Sequence, residues 1–109
     1  MKQVIIILLA LITINANAQT NPEFGNAIDV TIQGLTFDAM EPFISHDGET
    51  LYFNNLNDGV DTKIYYATRI DDSNFQYVGE LNGVNQTTQP YLDAVADADA
   101  VGNFYWTST

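Results

Sequence analysis

Glu41-Pro42-Phe43-Ile44-Ser45-His46-Asp47-Gly48-Glu49-Thr50-Leu51-Tyr52-Phe53 sets an Asp-Gly pair between two β-rich apolar runs. Glycine tolerates the positive φ of a tight turn, so Asp-Gly in that setting is a strong short-range signal for a β-hairpin. The flanking sequence keeps the same character. Asp29-Val30-Thr31-Ile32-Gln33 alternates polar and apolar residues and stops at Gly34. Asn54 to Thr62 is polar, holds a second Asp58-Gly59 pair and reads as a nine-residue loop. Lys63-Ile64-Tyr65-Tyr66-Ala67-Thr68-Arg69 reads as a strand and Asp71-Asp72-Ser73-Asn74 as a turn. Phe75-Gln76-Tyr77-Val78-Gly79 follows as a strand, with Phe75 and Tyr77 on one face and Gln76 and Val78 on the other. Short β-branched and aromatic runs between Gly, Asn and Asp clusters are an all-β pattern, and their short connections predict an antiparallel meander.

The pattern then restarts. Gln89-Pro90-Tyr91-Leu92-Asp93 echoes Glu41-Pro42-Phe43-Ile44-Ser45, with the two prolines 48 positions apart. Gly102-Asn103-Phe104-Tyr105-Trp106 echoes Gly48 to Phe53 with a one-residue gap, and Ala94 to Ala100 is longer than its counterpart. Propeller blades repeat at roughly 40–50 residues, so the spacing favours an internal repeat over two unrelated edge strands opened by proline.

Pro42, Phe43, Ser45, Asp47, Gly48, Leu51, Tyr52 and Phe53, followed by Ile64-Tyr65-Tyr66-Ala67-Thr68-Arg69, resemble the repeat of TolB-like β-propellers. Blades of that family read Pro-x-Phe-Ser-Pro-Asp-Gly before an apolar strand, with a later strand ending near Arg; here His46 stands where the second proline would be. The resemblance covers residues 41–69 closely and 89–108 loosely. It implies an all-β fold of antiparallel four-stranded blades, about one and a half to two blades of an incomplete β-propeller. The first blade is expected at about 41–81 and the second at about 86–109, after a lead-in at 19–40 that can add a strand. Each blade covers its apolar faces with its neighbours, and Phe43, Phe53, Tyr66, Phe75, Tyr77 and Trp106 are the expected filling. Closure takes roughly four to eight blades, so the chain is expected to be the N-terminal part of a longer protein, ending in mid-blade after Phe104–Thr107. The other reading is a short protein that assembles its ring from several copies.

The ends and the composition fit export. Met1-Lys2-Gln3 precedes an apolar run from Val4 to Ile14, and Ala16-Asn17-Ala18 offers small residues at the positions a signal peptidase reads. A membrane-spanning anchor would need about 20 apolar residues, and the run breaks at Asn15. Residues 1–18 are therefore expected to be a cleaved signal peptide, leaving a periplasmic or secreted protein with no inserted segment. Cleavage removes Lys2 and leaves Lys63 and Arg69 against 14 acidic residues, a net charge of −12. Nucleic acid and anionic membrane are excluded as partners, because binding them by counterion release needs clustered Lys and Arg. With no cysteine in the chain, no disulfide supports it, and stability must come from apolar packing.

No constellation of catalytic residues stands out. Asp97-x-Asp99-x-Val101-Gly102 partly matches a calcium loop, making Asp97 and Asp99 the metal candidates, with Asp93 able to assist. Calcium wants six or more oxygens, however, and Val101 offers none from its side chain, so a polar turn is the plainer reading. Ser45-His46-Asp47 spells three triad residue types, but strand neighbours alternate faces and a triad is assembled in space. The segment is also similar to the Asp-box turn of sialidase-type propellers, lacking the residue between Asp47 and Gly48. A glycosidase needs two carboxylates at a set separation, and 14 acids single out no pair. Asn85-Gln86-Thr87 fits a glycosylation acceptor. No cofactor is expected. The resemblance implies architecture rather than activity: a binding or scaffolding protein of the bacterial cell envelope, presenting loops 54–62 and 82–88 at a propeller rim to a protein or glycan, or associating with itself. The alternative is the N-terminal part of a secreted propeller enzyme, a glycosidase or peptidase whose catalytic residues lie beyond Thr109.

Overall fold

Alternating apolar residues put one apolar face on a meander of such strands, and that face needs cover. The computed structural model describes Gly25 and residues 27–109. The expected signal peptide lies outside the described residues, as does most of the lead-in before Ala27. The described chain is all-β: β1 (Thr31–Gln33), β2 (Met40–Ile44), β3 (Thr50–Asn54), β4 (Asp61–Thr62), β5 (Ile64–Arg69), β6 (Asn74–Glu80), β7 (Tyr91–Leu92), β8 (Ala94–Ala98) and β9 (Phe104–Thr107). β2, β3, β5 and β6 form the expected antiparallel meander, and β1 joins its β6 edge in parallel, giving the order β1-β6-β5-β3-β2.

Phe53, Ala67 and Phe75 are buried on one face of this sheet, with Leu51, Tyr65 and Tyr77 beside them. The lead-in covers that face. Ile32, Leu35 and Phe37 pack on it, and the Phe37 ring lies 4.8 Å from Tyr65 and 6.0 Å, edge-on, from Tyr77. Phe53, Phe75 and Tyr77, expected to fill a space between blades, are thus enclosed by their own sheet and the segment before it. The opposite face carries Tyr52, Asn54, Ile64 and Tyr66, registered as Tyr52↔Tyr66 and Asn54↔Ile64. β8 packs there, against β2, β3 and β5.

The β8–β9 hairpin is a structural copy of the β2–β3 hairpin. In the first, Met40 pairs with Asn54, Phe43 with Tyr52 and Ile44 with Leu51; in the second, Ala94 pairs with Thr107, Asp97 with Tyr105 and Ala98 with Phe104. Both ladders slip at the same place, between Met40 and Phe43 and between Ala94 and Asp97. Each slip holds a non-glycine residue with positive φ, an uncommon conformation: Glu41 at 49° and Val95 at 54°. The turns match too. Gly48 N–H donates to Ser45 O at 2.8 Å, and Gly102 N–H to Asp99 O at 3.2 Å, with φ of 78° and 90° at the two glycines.

The period of this repeat is 54 residues, from Met40 to Ala94, rather than the 48 of the proline spacing. Tyr91–Leu92, the expected first strand of the second copy, instead pairs in parallel with Asp61–Thr62, inside the expected loop 54–62. The physical reason lies in side-chain size. Ala94 and Ala96 are buried where β8 meets the sheet, and small side chains let the two backbones approach, overriding alanine's weak β-propensity.

Candidate functional site

The meander sorts its connections to two ends. Loops 54–62 and 82–88, the expected rim loops, lie at the same end, where β4 and β7 pair. Val60 O accepts the Tyr91 N–H at 2.9 Å and Thr62 O accepts the Asp93 N–H at 3.0 Å. Asn55 binds across its own loop, its side chain donating to Asp61 O at 2.6 Å and accepting from Lys63 N–H at 2.8 Å. Asn85 acts as an extra strand residue: its Oδ1 accepts the Ile64 N–H at 2.7 Å and its Nδ2 donates to Ile64 O at 2.9 Å. The amide that the acceptor motif singled out is therefore spent on fully buried Ile64.

Between these loops lies a groove of about 350 Å³ lined by Lys63, Glu80, Asn82, Gln86, Thr87 and Tyr91 among others. Lys63 Nζ lies 3.0 Å from Glu80 Oε1 and 4.3 Å from the centre of the Tyr91 ring. Amides, hydroxyls, one paired cation and one ring give the groove hydrogen-bonding capacity without a nucleophile–base pair. Beneath it Asp93 is wholly buried; its Oδ2 accepts the Gln86 N–H at 2.7 Å, and Oδ1 meets no donor among the described residues. Nothing in the alternation of the sequence marks Asp93, because it falls at the joint between β7 and β8.

The other end holds the catalytic and metal candidates. Ser45 and Asp47 close the β2–β3 turn: the Ser45 hydroxyl donates to Asp47 Oδ1 at 2.6 Å and accepts the Thr50 N–H at 2.9 Å. No hydrogen bond reaches the His46 ring among the described residues, so the three triad residue types do not converge. Arg69 ties this turn to the next, its Nε donating to Gly48 O at 2.6 Å and its Nη1 to Asp71 O at 3.0 Å. Asp99 organises the β8–β9 turn. Its Oδ1 takes the N–H groups of Val101 and Asn103, and its Oδ2 takes the Asn103 amide at 2.7 Å and the Tyr105 hydroxyl at 3.3 Å. Asp97 Oδ1 accepts the N–H of Ala98. Asp93 and Asp99 flank β8 at opposite ends, about 20 Å apart by strand rise, so Asp93 cannot assist a cation at Asp99. Among the described residues no three His, Cys, Asp or Glu side chains gather as a metal site.

Turn-capping sets the pH response. The Ser45 hydroxyl and Glu49 N–H hold the Asp47 carboxyl below its usual range; Asp61 and Val60 N–H groups do so for Asp58, Ser73 N–H and the Asn74 amide for Asp71, and Asn103 for Asp99. A depressed folded pKa stabilises above the unfolded value and is lost as pH falls through the folded one. The Glu80 carboxylate raises Lys63, and burial raises Tyr65 and Tyr77. These groups stabilise below their unfolded values and lose that contribution as pH climbs through the folded ones. The urea midpoint should therefore be flat between about pH 5 and 9 and fall below about pH 4 and above about pH 10. A midpoint that rises as pH drops from 5 to 3 would contradict the turn geometry. No protein-family model, curated protein or solved structure matches the chain.

Proposed function

We propose that this chain is the N-terminal portion of an exported TolB-like β-propeller that serves as a binding or scaffolding protein of the bacterial cell envelope. The observation that carries the reading is the bulged hairpin repeated at 54 residues, its second copy packed face-on against the meander of the first. A four-stranded meander β2-β3-β5-β6 followed by the first hairpin of another is what stacked blades require, since each exposes a face that only the next can cover. Function then rests on the loop end. Loops 54–62 and 82–88 are held rigidly by Asn55 and Asn85, and Asn82, Gln86 and Thr87 border a polar groove suited to a peptide or glycan.

The test is the intact mass and N-terminal sequence of the endogenous protein from periplasmic and culture-medium fractions. The expected result is a species beginning at Gln19. It should be either heavy enough for at least four blades or, by native mass, a defined oligomer of the chain processed to residues 19–109. A species retaining Met1 in the cytoplasm would overturn export, and a monomer of the processed chain alone would overturn the ring.

A further inference from the structure

The two repeated turns, brought side by side by the packing of β8 on the first sheet, enclose a cleft of about 420 Å³ at the end opposite the polar loops. Its floor is aromatic. Tyr52 of β3 and Phe104 of β9 are both half-buried and meet edge to face, with ring centres 5.2 Å apart. Its lips are His46 and Asp47 on one side and Ala98 to Ala100, including Asp99, on the other. The Asp99 carboxylate is saturated by its own turn. Asp47 is not: both of its donors, the Ser45 hydroxyl and the Glu49 N–H, reach Oδ1, and Oδ2 of this exposed, cleft-lining residue accepts no hydrogen bond among the described residues. Those same donors hold the carboxyl below its usual range.

No lysine or arginine lines the cleft, and Arg69, the nearest base to the turn, is engaged by the Gly48 and Asp71 carbonyls. An ionised acceptor at the rim of an aromatic-floored cleft is complementary to a cation on an apolar stem, through charge at the tip and contact of the stem and cation with a ring. The chain's net charge of −11 draws such a group in.

We propose that this cleft is a docking site for a basic side chain of a polypeptide partner, an arginine guanidinium before a lysine ammonium, because a planar cation can lie against one ring of the Tyr52–Phe104 pair while meeting Asp47. The site is distinct from the polar loop groove and stands whether or not the chain completes a propeller.

The experiment uses the full chain, with NMR signals of His46, Tyr52 and Phe104 followed during titration at low ionic strength. The probes are the capped tripeptide acetyl-Gly-Arg-Gly-amide and its neutral isostere with citrulline in place of arginine. The arginine peptide should shift these signals progressively up to tens of millimolar, and citrulline should shift them at least about fivefold less at equal concentration, the worth of one exposed cation contact. Asp47→Asn keeps the Oδ1 acceptor for the turn and should reduce the arginine peptide to the citrulline level, whereas Asp38→Asn, on the lead-in, should leave it unchanged. Absence of shifts, equal affinity for the two probes, or shifts spread evenly over acidic surface residues would each overturn the site. If Asp47→Asn fails to fold, the arginine–citrulline comparison on the native chain decides alone.

Discussion

Phe53→Ala is expected to unfold most of this protein. Phe53 is 1% exposed, at the centre of the cluster formed with Ala67 and Phe75, and its ring sits within 6.4 Å of those of Phe37, Tyr65 and Tyr77. Truncating a buried phenylalanine costs about 3–5 kcal/mol, for the lost transfer energy and for the cavity that neighbours fill only in part. A domain this small has total stability at the lower end of about 5–15 kcal/mol, so the loss takes most of it. Urea melts by tryptophan fluorescence or circular dichroism should give no native baseline for Phe53→Ala, and a reduced but complete transition for Phe53→Leu. A melt of Phe53→Ala within about 1 kcal/mol of the parent would mean that the face under the lead-in is not the core.

The second large effect comes from a polar residue. Asn85→Ala removes the acceptor of the Ile64 N–H and one of two donors to its carbonyl, which keeps the Leu81 N–H at 2.9 Å; Ile64 is 0% exposed. A buried backbone donor left without a partner costs about 1–3 kcal/mol, more than the net worth of the bond itself, because water cannot reach it in the folded state. The midpoint should fall accordingly. Amide exchange at Ile64 should accelerate with it, a readout that distinguishes local opening from general loss of stability. Asn82→Ala, three residues earlier in the same loop and exposed, should stay within about 0.5 kcal/mol. Equal effects at the two positions would remove Asn85 from its role as a strand substitute.

Much of the architecture follows from local chemistry. Asp47-Gly48 forms a hairpin turn because glycine alone reaches φ of 78° without strain, and the runs on either side pair as expected. The meander through Arg69 and Glu80 follows from short polar connections, with Phe75 and Tyr77 on one face of β6. The catalytic and metal candidates read as turn residues; the hydrogen bonds of Ser45, Asp47 and Asp99 place those three in turns, whereas Asp97 lies in β8. What misled was proline: Pro42 and Pro90 suggest one period, but Pro90 opens a two-residue strand that pairs with β4 in the loop. Asn85 and Asp93 were illegible as structural residues because their partners, Ile64 and the Gln86 backbone, are set by how loops cross, and no periodicity encodes that.

By itself, then, the sequence determined the all-β class, the order of the strands in the meander and the positions of the tight turns, since each depends on residues within one hairpin's reach. Only the tertiary structure decided the 54-residue repeat, the use of the lead-in as a cover and the cleft between the two turns. Each of these depends on which surface finds which. Ile32, Leu35 and Phe37 reach the Phe53 face, and Ala94 and Ala96 are small enough to bring β8 onto the other. That choice is made by packing area and side-chain volume summed over residues far apart in the chain.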